Sequence, residues 1–291
     1  MTIVNRYKNG NCFVSIYSDG TKVRESSENP APEFPESLDI KITNKCQWGC
    51  PHCHESSSPG GGHAGVDWIN RVARGLPPGV EFAIGGGNPL EHSDLADLLY
   101  ELCEAGIITN MTINSKSLPN QKLNLLLRPP SMIRGLGITW DSSKSSDVDM
   151  VINQNAVIHL VLGVSTPEEI RWVARKYPKV LILGYKHYGR GEFASPRFAF
   201  PSFSEIRRWV SGIVSFDNLA IEQLSIKDHL DDGEWGTRYM GDDGQYTMYI
   251  DAVKRQYAKS STSERHDCKD MNIKEMFANL KGGLSDYKEM G

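Results

Sequence analysis

LDIKITNKCQWGCPHCHE, residues 38–55, joins a short apolar run to three closely spaced cysteines. The run LDIKIT predicts a strand, and Cys46, Cys50 and Cys53 follow it on one loop, where three thiolates can converge on metal. Iron in clusters prefers thiolate, and a four-iron cluster held by only three protein cysteines keeps one iron with an open coordination position. The competing reading is a zinc site with His52, His54 or His63 as fourth ligand. Zinc, however, usually takes two pairs of ligands from two knuckles, and no second Cys pair accompanies this loop. Trp48 and Pro51 shield and stiffen the loop under either reading.

Outward from this point the chain repeats a short apolar run, a loop and an amphipathic stretch of helix length, the rhythm of parallel strands. The strand candidates are LDIKIT, VEFAIG, NMTIN, IRGLGITW, AVIHLVLG and KVLILGY, starting at Leu38, Val80, Asn110, Ile133, Ala156 and Lys179. Helical spacing falls at 67–76, 93–106, 119–127, 147–153 and 166–177, several opened by a Ser, Thr or Asp suited to an N-cap. A seventh unit occupies 203–226. The expected fold is α/β, a partial (β/α)6 TIM-like barrel with N- and C-terminal β-hairpin additions. Its reactive loops sit at the C-terminal ends of the strands.

Upstream, CFVSIYSDGTKV reads as a hairpin turning at Asp19-Gly20, and ESSENPAPEFPES as a surface linker unable to pack a core. Downstream, DGEWGTRYMGDDGQYTMYIDAV, residues 232–253, reads as a second Gly/Asp-turn hairpin. The expected division is 1–36 hairpin and linker, 37–228 core, and 229–291 an extension acting as lid or substrate module.

The 291 residues, 39% hydrophobic, suffice for a large core, and no run approaches the roughly 20 apolar residues of a membrane span. With a polar start, the chain is expected in the cytoplasm and off the membrane. A net charge of -4 argues against coating nucleic acid by charge alone, while a local basic groove stays open as a possibility. Of six cysteines, Cys12, Cys103 and Cys268 are scattered and read as inert, Cys103 as a small buried thiol in an apolar helix. The tail 260–270 holds one cysteine and by itself binds no auxiliary cluster.

At the end of the sixth strand, LGYKHYGRGE gathers Tyr185, Lys186 and Arg190 near two glycines, candidates for binding an anionic substrate group, with Glu222 as a further candidate downstream. Asp141, closing the fourth strand, is either a ligand contact or the cap of a turn.

Cys-x3-Cys-x2-Cys after the first strand of a βα series resembles the signature of the radical S-adenosylmethionine (SAM) superfamily. That resemblance implies a [4Fe-4S] cluster on Cys46, Cys50 and Cys53, with SAM chelating the open iron. It also implies reductive cleavage of SAM to a 5′-deoxyadenosyl radical, hydrogen abstraction from an organic substrate, and an outside one-electron donor such as flavodoxin or ferredoxin. Gly86, Gly87 and Asn88 stand where the family usually carries Gly-Gly-Glu or Gly-Gly-Asp against the SAM amino group, here with an amide for the carboxylate. By the same resemblance Asn114 and Ser115 contact SAM, Asp141 meets the ribose or substrate, and His52 packs on adenine. The superfamily spans isomerase and oxidoreductase chemistry. A nucleotide or modified nucleobase, as in phage-type DNA hypermodification, is the leading substrate reading, peptide maturation the runner-up, and a non-catalytic zinc-stabilised module the alternative of a different class.

Overall fold

A computed structural model of the chain describes residues 2–128, 132–152 and 155–282. Asn153, the last residue of the helix predicted over 147–153, and residues 283–291 of the C-terminal segment lie outside the described residues.

The chain opens with β1 (Ile3–Asn9), β2 (Cys12–Tyr17) and β3 (Lys22–Glu25), an antiparallel sheet in that order. Then come β4 (Ser37–Thr43), α1 (Val66–Ala73), β5 (Glu81–Gly86), α2 (Leu95–Glu104), β6 (Ile108–Asn114), α3 (Gln121–Leu126) and β7 (Gly135–Thr139). They are followed by α4 (Ser145–Val151), β8 (Ala156–Val161), α5 (Pro167–Lys176), β9 (Lys179–Leu183), α6 (Phe203–Trp209), β10 (Ile213–Phe216) and α7 (Asn218–Gln223). The chain continues through α8 (Asp232–Arg238), β11 (Thr247–Asp251), β12 (Gln256–Ala258), β13 (His266–Asp267) and α9 (Ile273–Leu280). Each of the six apolar runs is a strand, and the seventh unit supplies α6, β10 and α7.

The second sheet has ten strands in the order β10-β9-β8-β7-β6-β5-β4-β11-β12-β13, parallel from β10 through β11. Alternation decides what each face carries. In β6, Thr109, Met111 and Ile113 are buried under helices, while Asn110, Thr112 and Asn114 face a central cavity. Helices answer at their own period: α2 buries Leu95, Leu98, Leu99 and Leu102, one stripe against the sheet. In α5, a capping box between Thr166 and Glu169, with Pro167 in the first turn, places Ile170 and Val173 in the core.

Strands at the two ends of the parallel array come together around the cavity. Asn218, after β10, donates to Asp243 Oδ1 at 2.7 Å, just ahead of β11. At the opposite end of the strands the β2–β3 turn closes the floor. Arg134 Nη2 donates to Tyr17 O at 2.6 Å, Lys179 Nζ to Asp19 O at 3.1 Å, and Lys22 pairs with Glu81 at 2.7 Å.

Three expectations are corrected. Residues 232–253 are not a hairpin: Asp231 accepts from Glu234 N and starts α8, while Thr247–Asp251 is a strand parallel to β4. A hairpin does form one step later, between β11 and β12. The Pro- and Ser-rich segment after β3 does more than cross the surface. Phe34 is buried against Tyr7, Asn9 brackets its backbone by accepting from Phe34 N and donating to Phe34 O, and buried Glu36 accepts from Arg24 at 2.7 Å. Cys103 is exposed, because it lies one residue, about 100°, past the buried stripe of α2.

Candidate active site

Beyond Thr43 the chain forms a loop held by its own backbone. Asn44 N donates to Gly62 O at 2.8 Å, Cys46 N to Ser58 O at 2.9 Å, and Trp48 Nε1 anchors on Ser117 Oγ at 3.2 Å. Cys46, Cys50 and Cys53 are free, half-buried thiols that line one cavity of about 920 Å³. Burial pushes the Cys46 thiol pKa up, and Cys50, Cys53 and Glu91 add to the effect. A bound cation would invert that balance, since it stabilises thiolate directly.

Among the described residues no three His, Cys, Asp or Glu gather tightly enough to hold a single metal ion. Two of the histidines weighed as a fourth ligand have other partners: His63 Nδ1 lies 2.8 Å from Thr43 Oγ1, and His54 Nε2 lies 3.5 Å from Glu55 Oε1.

The glycine run of β5 packs on the root of this loop. Gly87 N donates to Thr43 O at 2.7 Å and Asn88 N to Lys45 O at 2.8 Å. A Cβ on Gly87 would lie 2.2 Å from Lys45 O, so only glycine permits the approach. Asn88 Oδ1 accepts from Leu90 N at 3.3 Å, and its Nδ2 donates to Glu91 Oε1 at 3.1 Å, which puts a carboxylate one bond behind the amide.

Gly86, Gly87 and Asn88 line the large cavity with the cysteines. His52 and Asn114 line it too, and both border an adjoining pocket of about 230 Å³ that also takes in Asp141. Asn114 caps the turn after β6 by accepting from Lys116 N at 2.9 Å. Asp141 is both cap and lining: it accepts from Ser143 N at 3.1 Å and lies 3.5 Å from Lys116 Nζ. His52 is held neutral by burial and by Lys116, Arg197 and Arg190 nearby, all of which lower its pKa. Ser115 is the correction in this group. It is fully buried at the start of a 3-10 turn, its hydroxyl has no partner among the described residues, and it borders neither cavity.

The expected substrate residues divide. Lys186 lines the cavity and donates to Ser261 Oγ at 2.8 Å. Tyr185 also borders it, but its phenol is turned inward to Ala194 O at 2.9 Å, and Gln223 clasps its backbone N and O at 2.9 Å each. Arg190 is turned to the cysteine loop: Nε donates to Cys50 O at 2.9 Å and Nη1 to Ser57 O at 2.8 Å. Glu222 is exposed on α7 and does not line the cavity. Helical phase after β10 turns it to solvent while Gln223 faces Tyr185.

Several cavity groups escape a reading of motifs. Lys41, 3% exposed, lies between Glu55 Oε2 at 2.7 Å and Asp251 Oδ2 at 3.1 Å, and Tyr249 donates to Glu55 Oε1 at 2.7 Å. Asp39 faces the cavity two residues earlier on β4. His159 faces it from β8, its pKa lowered to about 4 by burial. The available signal was a polar residue at alternate positions of an otherwise apolar strand, as in LDIKIT and AVIHLV.

The sequence matches no protein-family model and no curated protein. Solved structures do match. Streptococcus suis SuiB bound to its precursor peptide SuiA superposes with a TM-score of 0.62 at 15% identity, over 88% of this chain and 67% of that one. SuiB bound to S-adenosylmethionine gives 0.61 at 15%, over 88% and 69%. The chain has the SuiB fold. A further SuiB structure matches over 98% of this chain and 90% of its own, with a TM-score of 0.62 at 13% identity. At such identities the likeness to SuiB is one of fold.

Proposed function

We propose that this chain is a radical SAM enzyme with one [4Fe-4S] cluster on Cys46, Cys50 and Cys53. What carries the reading is three free cysteines on the loop after β4, opening together into a large cavity within the fold of SuiB. When bound, a reduced cluster and SAM supply a 5′-deoxyadenosyl radical that removes hydrogen from the substrate. The donor set fits such a group. Three free thiols on one loop can each take one iron of a cluster, and the adjoining space accepts a ligand on the fourth.

In this reading the backbone of Gly86 and Gly87, with Asn88, receives the SAM ammonium, and Glu91 behind Asn88 supplies the negative charge the amide lacks. Asn114, Asp141 and His52 border the pocket suited to ribose and adenine. The curled sheet is read as a partial (β/α)6 TIM-like barrel over 37–228, with 1–36 and 229–291 as additions. The β2–β3 turn borders the cavity below, and Tyr249 and Ser261 of the C-terminal part border it at the side. An external flavodoxin or ferredoxin supplies the electron, and the cytoplasm is the expected setting.

The substrate reading is a nucleotide or modified nucleobase, in keeping with a chain whose cysteines provide for a single cluster. A peptide substrate is the second reading, favoured by the fold shared with SuiB, which was crystallised with a precursor peptide. Isomerisation and oxidation both remain within the proposal.

Anaerobic purification should give about four irons with matching sulfide per chain. One tight zinc without sulfide would overturn the enzyme reading. Reduced protein should release 5′-deoxyadenosine from SAM, and Cys50→Ala should abolish release. Deuterium transfer into 5′-deoxyadenosine from labelled nucleosides or labelled peptides then separates the two substrate readings.

A further inference from the structure

The wall of the cavity formed by β4, β10 and β11 carries more acid than base, and its bases are already engaged. Lys41 is held between Glu55 and Asp251, and Lys186 Nζ sits on Ser261 Oγ. Asp217, after β10, accepts with Oδ1 from Gly184 N at 2.9 Å and Ala220 N at 2.8 Å. Asp39 differs from all of these: it lines the cavity and has no hydrogen-bond or ion-pair partner among the described residues. Its carboxylate opens into the cavity, where partial desolvation by the surrounding protein raises its pKa; Lys186 opposes the rise, and Asp243 and Asp217 add to it.

The strand beside it is small at this level: Ala83 of β5 pairs with Asp39 in register, Gly85 follows two residues on, and a Cβ built on Gly85 meets nothing within 4 Å. Space for a ligand therefore lies beside a carboxylate that no protein group satisfies. A cation that enters the cavity can pair with such a carboxylate without first displacing a protein partner. By strand rise, Asp39 lies about 13 Å below the end of β4, which puts it deep in the cavity and away from the cysteine loop.

We infer that Asp39 is a substrate-binding residue that pairs with a cationic nitrogen, a primary ammonium carried by the molecule that enters this cavity. The inference rests on the proposed enzyme reading for the word substrate. A cation there balances the wall, and the small residues beside it on β5 leave room for the alkyl chain that bears it. Neutral and anionic groups of the same size gain nothing from Asp39.

The test uses the full chain and three probes of one length: n-butylammonium, 1-butanol and butyrate, each followed by saturation-transfer NMR. Wild type should bind butylammonium in preference to butyrate. Asp39→Asn should weaken butylammonium about tenfold, the size of one charge-assisted contact, and leave butanol unchanged. Asp39→Ser is the second removal, and since the Asp39 carboxylate makes no hydrogen bond among the described residues, neither variant breaks one. Equal binding of butylammonium by wild type and both variants overturns the inference, as does butyrate binding as tightly as butylammonium, or no butylammonium binding by wild type. Probe binding needs no turnover, so its failure leaves the iron and sulfide analysis of the wild type standing, and failure of that analysis leaves the probe result standing.

Discussion

Arg190 offers the sharpest contrast between a substrate residue and a residue that builds the site. Its Nε donates to Cys50 O at 2.9 Å, its Nη1 to Ser57 O at 2.8 Å, and its own backbone N to Cys53 O at 3.0 Å. Gly189, at φ +58, lets the chain come this close, since a Cβ there would lie 2.6 Å from His54 O. Arg190→Ala removes two hydrogen bonds from a charged donor, each worth about 1.5–3 kcal/mol. Water reaches the half-exposed loop and restores part of that, which leaves a net loss of about 2–3 kcal/mol. In a chain of this size the melting temperature should fall by about 3–5 °C. Arg190→Lys should recover less than half, because an ammonium cannot span two carbonyls in the fixed fork of a guanidinium. Thermal unfolding of the apo chain and iron per chain after anaerobic reconstitution read the effect, and both should drop together. If Arg190→Ala melts within about 1 °C of wild type and retains its iron, Arg190 does not clamp the loop and the anion-binding expectation returns.

Lys41→Met strands Glu55 and Asp251, 8% and 4% exposed, without their shared cation, and should cost about 3–5 kcal/mol in urea unfolding; a loss under 1 kcal/mol would mean the carboxylates are hydrated. Gly87→Ala drives a Cβ to 2.2 Å from Lys45 O and should cost roughly 1–3 kcal/mol, whereas Gly85→Ala meets no atom within 4 Å and should leave stability within about 1 kcal/mol of wild type. Equal losses for both would refute the packing of the glycine run. His159 titrates at about 4 in the folded chain against 6.5 unfolded, so its stabilising term is complete above pH 6.5 and is lost as pH falls to about 4. The loss is on the order of 3 kcal/mol, and His159→Gln should flatten the urea midpoint across that window. An unchanged slope would place the acid sensitivity elsewhere.

Local patterns were enough for the strands. LDIKIT, VEFAIG and AVIHLVLG declare themselves because a strand buried beneath helices must be apolar at one parity at least, and the helices between them because their leucines recur at three and four. Cys46, Cys50 and Cys53 were equally plain, since a metal-binding loop concentrates its ligands along a few residues. The fate of Asp141 was half legible: a short side chain at a strand end caps the next turn by local geometry alone.

What needed the assembled molecule is whatever depends on partners distant in sequence. Arg190 reads as a ligand for an anion until the fold brings Cys50 O and Ser57 O within reach of its guanidinium. Thr247–Asp251 reads as the return strand of a hairpin over 232–253 because nothing local announces that β4, some two hundred residues earlier, has a free edge for it. Asp39 and Lys41 share one face of β4 and look alike in sequence, yet Lys41 meets Asp251 across the sheet while Asp39 meets open space. Periodicity tells which side of an element a residue takes; only the closing of one element on another decides whether that side holds a partner, solvent or a ligand.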